Sequence, residues 1–489
     1  MPHPSHALAA SRRPSPARSP RPARVPWGWL EWLLIAQTVL PALLFVPGIT
    51  PVRSLIRVAV FGLAMVAWAT IVLRGRSRPG AGTFTALIWL KACAGWLLLS
   101  ILHWNTNSIQ AGLAQAIVYI AVFSPAFWAH SELASPRQVG RLMMIMLACN
   151  GLSALVGLGQ VFRPGTFNPP VIVGVKGEGI DEDSISAMSM TYEDEHGNKI
   201  IRPCGLSDQS GAASACGATT ALIGLAFVLR PIGAVRRLAS LALAFAGMAV
   251  IYYSQARVIL LMLVICLAVL TLVFVLQRNF AHATALGVLG MATVVGALTW
   301  VTATSGSVVT KKFLGLLESN LAETYGESRG GFVRNAFEVL MWEHPVGYGL
   351  GWWGTIYGAF GLKDPSRVLW IEVMWPAWIM DGGIPLLTFY VLAIAVALAD
   401  SLRVALRSRD REVAFWAAVV LASNLSAVAT CFSYVTFVTP IGIQFWFLAA
   451  VVHAADRRAR DAAASAARAA LAARAAPASP PGIPPAAPA

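Results

Sequence analysis

The chain predicts an all-α fold: a polytopic membrane helix bundle of about twelve transmembrane helices, with two long loops on one face. Three observations carry this. First, 57% of the 489 residues are hydrophobic and only 12% are charged, and mean hydropathy is +0.65. Ordinary soluble domains are about 45–50% apolar and about 25% charged. Second, apolar runs of about 18 or more residues, the length a helix needs to cross a bilayer, recur along the chain. Third, when the runs are alternated across a membrane, the arginines between them collect on one side.

In chain order the spans fall near 27–47, 54–73, 83–102, 109–129, 140–162, 209–229, 238–253, 258–277, 283–303, 383–401, 412–431 and 435–454. The arginine-bearing breaks share one side. They hold Arg74, Arg76 and Arg78; Arg137 and Arg141; Arg230, Arg236 and Arg237; Arg278; and Arg403, Arg407, Arg409 and Arg411. By the positive-inside rule that side is cytoplasmic. Both tails join it. Residues 1–26 are Pro, Ser, Ala and Arg without period, and 457–489 are Ala and Arg, then Pro. Both compositions predict disorder around an integral membrane unit at 27–456. No small-residue cleavage site follows the first apolar run, so a cleavable signal is not expected. The net charge of +14 orients the protein and does not form a nucleic-acid patch, so no nucleic-acid partner is expected.

The other, periplasmic side then holds loops at about 163–208 and 304–382. The first is acidic and glycine-rich. Its carboxylates (Glu178, Asp181, Glu182, Asp183, Glu193, Asp194, Glu195) show no calcium-loop spacing and are expected to be solvated, so no metal is predicted. Residues 369–381 are apolar but too short to span beside 383–401. They predict a short helix lying at, or re-entering, that face, which a membrane protein tolerates only against protein or a water-filled cavity. The six cysteines form no CxxC pair. Cys204 and Cys216 lie near the same surface, but no spacing rule joins them.

Arginine gathered on the face that the orientation rule disfavours suggests an anionic ligand, phosphate above all. Arg202, just before the sixth span, is a phosphate ligand or a snorkelling anchor. Arg257 follows Tyr252-Tyr253-Ser254-Gln255-Ala256 in a tight turn between spans, where an ionisable group near the bilayer is a functional candidate. Arg329 and Arg334 sit on an amphipathic segment, about 140° apart if it is an α-helix, so only one of them faces a common point. His344 precedes Pro345 and reads as an acid/base or as a helix C-cap. Gly347, Gly349 and Gly351 read as turn residues. Glu372 stands in an apolar stretch. It is either a desolvated general base or an ion-pair partner of an arginine such as Arg367. Asp381 reads as a turn or helix-end residue.

In their order these pieces resemble the O-antigen ligase and polysaccharide polymerase family of bacterial inner-membrane enzymes, most strongly over about 200–390. Arg202, Gly205 and Asp208 match an Arg and turn before a span. Ser254-Gln255-Ala256-Arg257 loosely matches a hairpin, and Arg329, Pro345, Gly347 and Gly349 match an Arg, helix and Pro-x-Gly-x-Gly turn. Gly383-Ile384-Pro385 matches the last element. One departure stands out: the place of a family His-Asn is held here by Glu372-Val373.

The resemblance implies a GT-C-like membrane bundle and a metal-independent, inverting glycosyltransferase without cofactor. It implies transfer of a glycan from an undecaprenyl-diphosphate-linked oligosaccharide to a sugar hydroxyl on a growing glycan or lipid acceptor. Polymerisation of O-antigen, capsule or exopolysaccharide repeats is expected, with ligation to lipid A core or protein as the alternative. Arg202 and Arg257 would be catalytic and, with Arg329 and Arg334, hold the diphosphate, while Glu372 acts as base. The lipid bilayer, a flippase and a chain-length regulator are the expected companions. A lipid-linked glycan flippase is the reading from another class, but no internal repeat of the transporter kind is seen. A scaffold protein does not explain where the arginines lie.

Overall fold

The computed structural model describes residues 26–75, 84–163, 166–169, 191–193, 199–209, 211–305, 313, 315, 325–361 and 365–475. The first 25 residues, Arg76 and Arg78, most of the acidic loop with Asp181 and Asp183, nearly all of 306–324, and 476–489 lie outside them.

A helix stands at each of the twelve predicted positions. They are α1 (Trp29–Val39, continued as a 3-10 turn at Leu40–Phe45), α2 (Arg53–Leu73), α3 (Ala86–Ser100), α4 (Ile109–Glu132) and α5 (Gln138–Phe162), then α6 (Ala212–Val228), α7 (Ala234–Tyr253), α8 (Arg257–Leu276) and α9 (Phe280–Ser305). After the second long loop come α12 (Met374–Arg407), α13 (Arg411–Thr430) and α14 (Pro440–Ala475). Among the described residues, eight helices are long and apolar enough to cross a membrane; α1 with its extension, α3 and α6 are shorter apolar helices. The chain is therefore a helical membrane protein whose apolar runs are helices. A two-stranded antiparallel hairpin pairs Thr191–Glu193 with Lys199–Ile201.

Among the described residues the second long loop carries α10, which runs from 326 to 343, α11 (Gly354–Phe360) and a 3-10 turn at Pro365–Arg367. α10 is not a plain α-helix. Gly326–Gly330 and Ala336–Leu340 are π-helical, separated by an α turn at Gly331–Asn335. Such wider turns recur at functional sites.

Long-range contacts give the bundle two distinct ends. At one, called here the tail end, the buried Glu31 of α1 accepts from Gln138 Nε2 at 2.8 Å and pairs with Arg141 of α5. There too Arg230 pairs with Glu412 at 2.9 Å, and Asp400 holds both Arg403 and His453. At the other, the loop end, Arg53 and Arg57 of α2 meet Asp208, Trp352 Nε1 donates to the Asn105 carbonyl at 2.7 Å, and the Met374 amide donates to the Cys431 carbonyl at 3.0 Å.

One expectation is corrected. Residues 457–475 are not disordered; they extend α14 as a largely exposed helix. Alanine has the highest helix propensity of the common residues and arginine ranks near it, so this composition needs no packing to favour a helix. The low-complexity pattern says nothing against that.

Candidate functional site

Residues 369–373 are extended, and the short helix predicted over 369–381 is present only from Met374, as the first part of α12. It ends at Gly383, whose backbone is non-helical at φ +66° and ψ −157°. A Cβ there would lie 2.2 Å from the Pro345 carbonyl oxygen, so only glycine lets the Pro345 turn come this close. The broken helix finds its partners in that turn. Tyr348 and Gly349 amides donate to the Met380 carbonyl at 2.8 and 3.2 Å, and the Ile384 amide donates to the Pro345 carbonyl at 2.8 Å. Trp96 Nε1 of α3 donates to the Gly382 carbonyl at 2.6 Å. The glycines at 347, 349 and 351 are turn residues with φ of +100°, +117° and +83°.

Beside the break, Asp381 is 1% exposed. Its carboxylate accepts from Tyr119 Oη at 2.8 Å, Trp353 Nε1 at 3.0 Å and Gln115 Nε2 at 3.3 Å. It is not a simple turn residue. It ties α4 and the loop before α11 to the broken helix, and burial demands those donors.

Glu372 differs from expectation in a different way. Its side chain is 36% exposed, so it is partly open to solvent rather than buried. The apolar stretch 368–373 is extended rather than packed inside, and its Trp370 is itself exposed. Trp370 Nε1 donates to Glu372 Oε1 at 2.8 Å, and Arg329 of α10 lies 3.6 Å from Oε2. An arginine does pair with Glu372, and the partner is Arg329. Phe337 of the same helix packs against Trp375, and Trp375 against Phe432. Tyr325 Oη donates to the Phe432 carbonyl at 2.8 Å.

Arg334 faces elsewhere. It pairs with Glu338 one turn on, at 2.8 Å, and is 77% exposed. His344 is the C-cap of α10, its amide donating to the Leu340 carbonyl at 2.9 Å and its ring edge-on to Tyr348.

The Arg202 loop is anchored by Gln160 of α5. Gln160 Oε1 accepts from the Cys204 and Gly205 amides at 2.8 and 3.0 Å, and its Nε2 donates to the Gly205 carbonyl at 2.8 Å. Gly157 lets α6 and α7 pack closely on α5 at this point: Val250 of α7 and Ala213 of α6 crowd the space a side chain would fill. Burial, with Asp208 adding to it, pushes the Cys204 thiol up to about 12, and all six cysteines are free. The loop closes on Asp208, which is fully buried and held by Arg57 Nη2 at 2.9 Å, Arg57 Nε at 3.2 Å and Arg53.

The α7–α8 turn stands on the same end. Tyr253 packs edge-on to Phe162 at the end of α5, Gln255 takes a left-handed backbone at φ +51°, and Arg257 opens α8 half-buried. The connection from α13 to α14 joins the two halves of this surface. Its Phe432 meets α10 and α12, and its Tyr434 lies within electrostatic reach of Arg57.

Of the residues expected in the site, Arg329 and Glu372 are brought together, and Arg202 and Arg257 share the end of α5 and α7. Arg334 and His344 contact neither group in the described pairs. Sequence reasoning missed Arg53, Arg57 and Asp381. The orientation argument used for Arg257 applies equally to Arg53 and Arg57. The argument used for Glu372, a lone carboxylate in an apolar stretch, applies better to Asp381. No family model matches this chain, and no curated protein matches it.

Proposed function

We propose that the protein transfers a glycan from a polyprenyl-diphosphate carrier to a sugar hydroxyl at the periplasmic face of a bacterial inner membrane, polymerising repeat units of a surface polysaccharide. The observation that carries this reading is the burial of arginine at the loop end. Arg202, Arg257 and Arg329, from three separate segments, are half-buried there, and Arg329 lies 3.6 Å from the partly exposed carboxylate of Glu372. In this reading twelve spans with both tails cytoplasmic, the orientation the arginine bias favours, put this end in the periplasm, where the carrier's glycan resides in such a reaction.

In the transfer, the bond between the sugar's anomeric carbon and the diphosphate oxygen breaks as the acceptor oxygen forms its bond from the opposite face, which inverts the centre. The departing diphosphate gains charge. Planar, bidentate guanidinium forks at Arg202, Arg257 and Arg329 stabilise that charge as it develops. The acceptor's proton goes to Glu372. Its carboxylate is oriented by Trp370 and Arg329 and reaches solvent, where an acceptor hydroxyl arrives. Its position, held by Trp370 and Arg329 where an acceptor hydroxyl arrives, makes Glu372 the base in this reading.

The test uses membranes containing the full chain and a polyprenyl-diphosphate oligosaccharide, with product length read on gels. Longer glycan should appear, it should persist with chelator present, and it should vanish in the Arg202→Lys/Arg257→Lys double variant. Reporter fusions after 190 and 340 should read periplasmic, and those after 235 and 408 cytoplasmic. Product in the double variant, or a cytoplasmic reporter at 340, sinks the reading.

A further inference from the structure

Arg53 and Arg57 have no part in the transfer scheme above, yet both are held at the loop end by one buried carboxylate. They lie one helical turn apart at the start of α2. Both guanidiniums converge on the single carboxylate of Asp208. That carboxylate is 0% exposed, whereas the arginine side chains are 28% and 30% exposed. Among the described residues two positive charges meet one negative, and the arginines are the partly exposed members of the cluster.

The donors show the same imbalance. Two guanidiniums present roughly ten N–H groups, and three N–H···O contacts go to Asp208. One arginine would have sufficed to neutralise one buried carboxylate. The second is a cost that a structural pair does not require, since charge held near a bilayer is expensive. It also stands on the face that orientation signals disfavour. What Asp208 adds is geometry. A bidentate contact holds the Arg57 fork in one plane, so its remaining edge and that of Arg53 point outward preorganised. Such planar edges match the oxygens of phosphate better than an ammonium does.

We propose that Arg53 and Arg57, held by Asp208, form a binding site for the phosphate group of a membrane lipid. The lipid is either the diphosphate carrier or a glycerophospholipid; the chemistry recognised is the same. The site does not depend on the transfer reading, because phosphate binding here requires no reaction.

The experiment uses the full chain in maltoside micelles, which carry no phosphate. Dissociation constants are measured for inorganic pyrophosphate, farnesyl diphosphate and phosphatidylglycerol by calorimetry. The Arg53→Gln/Arg57→Gln variant should bind at least one lipid probe at least tenfold more weakly. A loss confined to pyrophosphate and farnesyl diphosphate supports the carrier as source, and a loss confined to phosphatidylglycerol supports the headgroup. Constants for all three probes within twofold of the parent, in a variant that elutes and melts as folded, overturn the proposal. Should the glutamine variant not fold, Arg53→Lys/Arg57→Lys keeps the ion pair with Asp208 but loses the fork. It should bind at least threefold more weakly, and unchanged binding overturns the proposal equally. The transfer reading fails separately, by product formation in the Arg202→Lys/Arg257→Lys variant.

Discussion

The two ends of the bundle both carry arginine, but they use it differently. At the tail end Arg74, Arg137, Arg236, Arg237, Arg407 and Arg411 are exposed. Of the half-buried ones there, Arg141 and Arg230 each face a carboxylate from another helix, and Arg457 and Arg458 lie on α14. At the loop end Arg53, Arg57, Arg202, Arg257 and Arg329 are all half-buried. Exposed arginines in short loops orient a membrane protein and cost little to hold. Half-buried ones pay desolvation, and a fold keeps them where they tie elements together or meet a ligand. Exposed arginines predominate at the first end and half-buried ones at the second. Burial is the better guide to a site.

The largest expected effect tests that contrast directly. Arg202→Lys or Arg257→Lys should lower glycan transfer in membranes by about a thousandfold, the upper scale for a lost preorganised charge donor. Arg236→Lys or Arg237→Lys should stay within about twofold, as exposed substitutions do. Equal losses at both ends, with equal protein in the membrane, would erase the distinction. Next comes Glu372→Gln, expected to cut single-turnover transfer by about a hundredfold with the carrier's dissociation constant nearly unchanged. If carrier binding falls and the turnover of bound carrier is intact, Glu372 serves only as the partner of Arg329. A smaller change is expected at Asp381→Asn, which keeps one acceptor oxygen for three donors. Thermal unfolding in detergent should show a loss of about 1–2 kcal/mol; an unchanged melting profile would mean that the Tyr119 and Trp353 contacts do not hold α4 to the break. Arg334→Ala should do least. An exposed pair one turn apart contributes about 0.3–0.5 kcal/mol, and transfer should remain within about twofold. A loss as large as that of Arg329→Ala would mean the wrong face of α10 was chosen.

The helices were legible because each needs only its own apolar run. Predicted ends such as 54–73 and 109–129 fall within a few residues of Arg53–Leu73 and Ile109–Glu132. The partners of charged groups were not legible, because they are distant in the chain. Glu372 meets Arg329 rather than only its near neighbours, and Asp381 meets Gln115 and Tyr119 from α4. Periodicity carries no information about such pairs. The angle between Arg329 and Arg334 was drawn on a regular α-helix, whereas π turns flank the α turn between them. No local pattern announces a wider turn. The helical extension at 457–475 was hidden by the opposite problem: composition that reads as low complexity is also strongly helix-forming.

The break at Gly383 also constrains how the chain is made. Alone in lipid, a helix interrupted there would expose the Met380 and Gly382 carbonyls and the Ile384 amide, each at a cost of several kcal/mol. Their partners are Trp96 of α3 and the turn at 345–349, and all of them are synthesised earlier than the break. Translation from the N-terminus therefore delivers every group needed to receive the interrupted helix before that helix leaves the ribosome. A circular permutation that moved α12 ahead of the 345–349 turn would keep every contact of the finished protein, yet would present the insertion machinery with an unpaired break.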